Sequence, residues 1–170
     1  MSRDYPDWLN PFKAAQARRE FAGTIRLADL GRVVDLIDQP GDAEIGFELG
    51  FELNDQREVL VRVRVSGQVP MVCQRSLRPF AQPIDSASLV AVVDSEEAAG
   101  RLPEDCEPLV VSEPRLRIAD LVAEEVLLAL PLVPRAPDSE PVGSPGQAET
   151  GSGNRQRPFA ALADLARKRD

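Results

Sequence analysis

The stretch from Glu44 to Ser66 constrains the fold more than any other part of the chain. Ile45, Phe47, Leu49, Phe51 and Leu53 occupy alternate positions, with Glu44, Gly46, Glu48, Gly50 and Glu52 between them. A period of two sends successive side chains to opposite faces of a strand, so one face is apolar and the other acidic. Asn54-Asp55-Gln56 supplies a turn, after which Val59, Val61, Val63 and Val65 alternate against Leu60, Arg62, Arg64 and Ser66. The two runs pair as an antiparallel hairpin. A Glu row then faces an Arg row across the strands, each pair contributing about 0.2–1 kcal/mol. This gives Arg62 and Arg64 a structural role in preference to a ligand-binding one.

The rest of the chain organises around that hairpin. Pro11 to Glu20 reads as a short helix, with Asn10 as its cap and Pro11 at its first position. Phe21–Ile25 reads as a strand. Leu30, Val33, Val34 and Ile37 fall at helical spacing, with Asp29 as the expected cap and Pro40-Gly41 as the stop. Strand character resumes over Gln68–Cys73, over Phe80–Val93 and over Glu107–Ser112, with a turn at Gln74–Arg78 and a short acidic helical turn at Ser95–Gly100. Ile118, Leu121, Val122, Val126 and Ala129 mark an amphipathic helix that stops at Pro131. The expected class is α+β, a hairpin-rich antiparallel sheet flanked by a few short helices. Residues 1–134 form one domain in this reading. Residues 135–157 offer almost nothing to bury and read as a disordered linker with an r.m.s. span of roughly 25 Å. Residues 158–170 read as a short helical segment, with Phe159, Leu162 and Leu165 along one side and Arg167, Lys168 and Arg169 at its end.

Composition narrows the function by exclusion. The chain has 170 residues, a net charge of −8, two cysteines and no histidine. Histidine-based triads and histidine-ligated metals are therefore ruled out. The acidity argues against a protein that coats nucleic acid by overall charge. The charge is unevenly spread, however. Residues 28–134 hold 20 acids and 9 bases, whereas residues 1–27 hold 5 bases and 3 acids, and residues 151–170 hold 5 bases and 2 acids. Salt screens charge over about 8 Å, so basic ends act locally beside an acidic body. The polar N-terminus does not read as a secretory signal, and no apolar run approaches the roughly 20 residues of a membrane span. Reduced thiols and a cytoplasmic protein are expected.

No catalytic constellation emerges: there is no phosphate-binding Gly-rich loop and no dinucleotide fingerprint. In the pair Glu124-Glu125, one acid is expected in solvent and the other at the buried edge of the helix. Cys73-Gln74-Arg75-Ser76 sits where a Cys-x-x-Cys knuckle would bind zinc, but Ser76 replaces the second thiol. Zinc takes about four ligands in paired spacing, so neither a metal nor any other cofactor is expected.

Four segments carry a resemblance. The run Pro11-Phe12-Lys13-Ala14-Ala15-Gln16-Ala17-Arg18-Arg19-Glu20-Phe21-Ala22-Gly23 resembles the opening of the YceD family, the large ribosomal RNA subunit accumulation proteins. Val69–Phe80 resembles that family's Cys-x-Arg-Cys turn, and Glu125–Pro134 resembles its Glu-rich helix ending in Leu-x-Leu-Pro. Asn154 to Lys168 resembles its closing Asn-Pro-Phe-Ala-x-Leu-x-x-Leu segment. The departures are Ser76, where the family often has a second Cys, and Arg135 to Pro141, where Cys or His residues are missing. A zinc-dependent role is therefore not carried over.

The resemblance implies a non-enzymatic factor for accumulation or processing of 23S ribosomal RNA. Its partners would be a pre-50S particle, a 23S precursor or a basic ribosomal protein, with no membrane and no small-molecule substrate. The candidate contact residues are Arg75, Arg78 and Phe80 at the turn and Phe159, Leu162, Arg167, Lys168 and Arg169 in the tail. The alternative is an acidic module that engages a basic ribosomal protein and affects rRNA only indirectly. A Mg²⁺-dependent nuclease built on clustered acids is a third and weaker reading.

Overall fold

A computed structural model describes residues 5–37, 40–102 and 106–142. The Glu44–Ser66 pattern forms the centre of a five-stranded sheet. Its strands are β2 (Glu20–Arg26), β3 (Glu44–Leu53), β4 (Val59–Val72), β5 (Pro79–Val93) and β6 (Glu107–Val110), in the order β2-β3-β4-β5-β6. The first four are antiparallel neighbours. Outside the sheet, the two-residue strands β1 (Trp8–Leu9) and β7 (Leu116–Arg117) pair with each other. Two-residue strands are too short to carry a period, so the sequence pattern holds no sign of that small pairing.

The β3–β4 register sets Phe47 against Val65, Leu49 against Val63 and Phe51 against Val61. All six are buried, so the inner face is continuous across the two strands. Helix α1 (Pro11–Gln16) packs on β3 and β4, and α4 (Ile118–Ala129) packs on β4 and β5. Leu121, Val122 and Val126 turn the buried stripe of α4 toward the strands. The long amphipathic helix therefore lies where the sequence expects it, ending one residue before Leu130 and two before Pro131.

Several expectations change in detail. The first helix ends at Gln16, not Glu20, because Arg18 adopts a left-handed conformation (φ 47°) that breaks the turn and releases Glu20 into β2. Its predicted cap does form: the Lys13 amide donates to Asn10 Oδ1 at 3.0 Å. The apolar run at 30–37 gives the single-turn helix α2 (Gly31–Val34), and a 3-10 turn (Leu27–Asp29) precedes it. Asp29 does not cap it; its carboxylate instead accepts from Arg26 at 3.1–3.3 Å. Glu48 does stand opposite Arg64 in the register, but the Arg64 guanidinium reaches across to Asp85 on β5 (3.5 Å), and Arg62 reaches diagonally to Glu52 (3.3 Å). Long side chains have the choice of two flanking strands, and the register alone does not choose between them.

Strand β6 is parallel to β5, with Val90 beside Glu107 and Val92 beside Leu109. A parallel return needs a crossover, and residues 94–106 supply it. Part of it is α3 (Glu96–Ala99), capped by Ser95 Oγ, which accepts from the Ala98 amide, as the acidic-turn reading requires. The compact unit continues through Ser139, beyond the sequence boundary at Pro134.

Candidate nucleic-acid interface at the β4–β5 tip

The turn between β4 and β5 is a closed knuckle. The Cys73 amide donates to the Arg78 carbonyl at 2.9 Å, and the Leu77 amide donates to the Cys73 carbonyl at 2.8 Å. Closing the loop so tightly forces Leu77 to φ 55°, a conformation that costs a non-glycine residue about 1 kcal/mol or more. Its side chain projects outward, 64% exposed.

A second piece of chain is fastened to this turn. The Gln74 amide donates to the Pro134 carbonyl at 2.9 Å, and the Ala136 amide donates to Cys73 Sγ at 3.3 Å. The Ser76 amide also donates to Cys73 Sγ, at 3.5 Å. The sulfur is thus the hub that joins the strap at 134–139 to the knuckle. Burial pushes the Cys73 thiol pKa up. Hydrogen bonds from the Ser139 and Ser76 hydroxyls and from the Ser76 and Ala136 amides outweigh it, bringing the thiol from 9.0 down to about 6.

The same geometry settles the chemistry of the knuckle. Positions 73, 76, 136 and 139 form two i,i+3 pairs facing one another, but they carry one thiol, two hydroxyls and a methyl. That donor set does not fit zinc. Among the described residues, no group of three or more His, Cys, Asp or Glu side chains comes together to hold a metal ion.

A stability test follows from the hub. A thiol whose folded pKa lies below its unfolded value stabilises the fold fully above about pH 9, and that contribution fades as pH falls through about 6. Cys73→Ala should lower Tm by several degrees at pH 9, and the gap from wild type should shrink toward pH 5. Differential scanning calorimetry across that range reads both effects; a gap independent of pH would contradict the thiolate assignment.

Of the residues singled out in the sequence, Arg75 and Arg78 are exposed on the knuckle, and no ion pair engages either among the described residues. Phe80 is half-buried at the start of β5, opposite Met71. Phe159, Leu162, Arg167, Lys168 and Arg169 lie outside the described residues. The strap adds a residue that the sequence placed in the linker: Arg135, exposed and flanked by the two residues whose backbones bond to the turn. No local pattern pointed to it, because hydrogen bonds linking its two neighbours to Gln74 and Cys73 are what bring position 135 to the knuckle. The tip therefore presents three exposed guanidinium groups with the exposed Leu77, Leu132 and Val133. Arg groups of this kind pair with phosphate oxygens through a planar fork and stack on bases.

The paired acids in α4 do something else. Glu124 is ion-paired with Arg32 of α2. Glu125 is 4% exposed and accepts from Ser86 Oγ at 2.5 Å and from Ser88 Oγ, both on β5. One solvated and one buried acid is what the sequence predicts, and Glu125 serves to fasten helix to sheet.

Comparison with known proteins agrees with the motifs. The family model described as large ribosomal RNA subunit accumulation protein YceD matches residues 61–166. That span covers the tip, the strap and the closing segment. The large ribosomal RNA subunit accumulation protein YceD of Haemophilus influenzae is 28% identical over 170 residues, covering 96% of this chain and 97% of the relative. No solved structure matches. The chain belongs to the YceD family of large ribosomal RNA subunit accumulation proteins.

Proposed function

We propose that this protein is a non-enzymatic factor of large-subunit biogenesis that acts in the cytoplasm on a 23S rRNA precursor or a pre-50S particle. On this reading Arg75, Arg78 and Arg135 contact backbone phosphates, with the basic end of the tail as a second contact. The observation that carries it is the strap: it sets a third arginine beside the knuckle on a body whose central region holds 20 acids against 9 bases. An acidic body repels RNA broadly, so a positive tip confines contact to one orientation. The relative's name supports the RNA class.

The test is the triple variant Arg75→Glu/Arg78→Glu/Arg135→Glu in the full chain. All three side chains are exposed, so the fold should persist, as circular dichroism would show. Wild-type protein should sediment with large-subunit precursors at low salt, and the variant should stay in the free fractions and fail to restore 23S levels in a deletion strain. For purified protein and single-stranded precursor rRNA, the slope of log affinity against log salt should fall by about 2 on losing three phosphate contacts. A folded variant that sediments and complements like wild type would remove the tip from the interface.

A further inference from the structure

A second surface lies on the other side of the sheet's centre and has the opposite character. Helix α4 packs chiefly on β4 and β5. The parallel register puts Glu107 and Leu109 of β6 on the same face as Val90 and Val92, the inner face that α4 covers farther along the sheet. Among the described residues that face is open at β6, and a cleft of about 180 Å³ runs between the strand and the helix. Val63, Val90, Leu109, Leu121 and Leu128 form its apolar lining. Leu128 is 62% exposed although it continues the helix stripe begun by Leu121. A leucine on the inward side of a helix is normally covered, so its exposure marks a place in the layer that the described residues do not fill.

The rim of the cleft is acidic. Glu107, Glu124 and Glu125 line it. Glu125 is held by Ser86 and Ser88, and Glu124 is paired with Arg32, whereas Glu107 is exposed and has no ion pair among the described residues. The neighbouring α3 adds Glu96 and Glu97 beside β6. An RNA segment is repelled here, and a neutral apolar peptide would leave Glu107 without a partner. The complementary occupant has an aliphatic side chain for the cleft and cationic side chains for the rim.

We infer that the cleft between α4 and β6 is a docking site for a basic protein segment that inserts an aliphatic side chain between Leu109, Leu121 and Leu128 and sets lysine or arginine against Glu107. The site is separate from the arginine tip. A factor with both surfaces holds an RNA phosphate backbone at one and a cationic protein segment at the other, and so brings the two together.

The probe is a short fluorescein-labelled peptide in which lysine alternates with leucine, titrated into the full chain and read by anisotropy and by amide chemical shifts. An all-lysine peptide of equal length controls for charge alone. The lysine–leucine peptide should bind at least tenfold more tightly than the all-lysine one and shift the amides of β6 and α4. Glu107→Lys and Leu128→Asn should each weaken it about tenfold, and both positions are exposed enough to leave the fold intact. The arginine-tip triple variant should bind the peptide like wild type, so that failure here and failure of the RNA reading remain distinguishable. Equal binding of the two peptides, shifts spread over the whole acidic surface, affinity unchanged in both variants, or displacement of the peptide from the cleft by oligouridylate would each overturn the inference.

Discussion

Phe51→Ala should cost about 3–5 kcal/mol, the range found when a fully buried phenylalanine is truncated. Phe51 is 2% exposed, sits opposite Val61 in the centre of the sheet, and meets Phe21 edge-on at 5.9 Å between ring centroids. Truncation removes that ring contact and leaves a void between strands that are held by hydrogen bonds on both sides and cannot collapse inward. For a domain of this size the loss corresponds to a fall in Tm of roughly 10–15 °C. Phe21→Ala is the control. It removes the other ring of the pair, but from a half-buried position on the edge strand β2, and should cost about half as much. Urea denaturation of both variants reads the difference. Equal losses would mean that the ring pair, and not burial at the sheet centre, dominates.

The second large effect lies at Glu125. Glu125→Ala should destabilise the protein by about 2–3 kcal/mol, because it strands the Ser86 and Ser88 hydroxyls and opens a gap in the helix–sheet contact. Glu125→Gln should cost less, since the amide oxygen accepts from one serine and the amide nitrogen donates to the other. The more telling variant is Ser86→Ala/Ser88→Ala/Glu125→Leu. Replacing every member of a buried polar cluster with apolar groups removes the desolvation cost together with the bonds, so this triple should recover most of the loss. If it is as unstable as Glu125→Ala, packing geometry and not polar satisfaction is what Glu125 contributes.

The two variants also separate what is legible in a linear pattern from what is not. Phe51 belongs to a run of five apolar residues at a strict period of two, and its burial follows from that period without knowledge of any neighbour. Glu125 sits in a helix whose apolar positions are equally periodic. The pattern shows that this acid lies at the buried edge, but its partners are 37 and 39 residues away and carry no mark in the sequence. The tip divides in the same way. The turn and its two arginines follow from strand runs that end at Cys73 and resume at Phe80 in the sequence, whereas Arg135 reaches the site through bonds made by its neighbours.

The sequence by itself determined the class of fold, the central hairpin and its faces, the long helix and the acid-rich centre, and the four motifs were sufficient to identify the family. Each of these rests on local periodicity, local turn chemistry or simple counting. Tertiary structure alone decided the parallel placement of β6, the partners chosen by Arg64 and Asp29, the conversion of Cys73 into a hydrogen-bond hub, and the arrival of Arg135 at the knuckle. Those outcomes depend on which of several sterically open partners comes within hydrogen-bonding distance, roughly 3 Å, once the chain has closed on itself. A linear pattern specifies a face or an edge, and only packing specifies what meets it there.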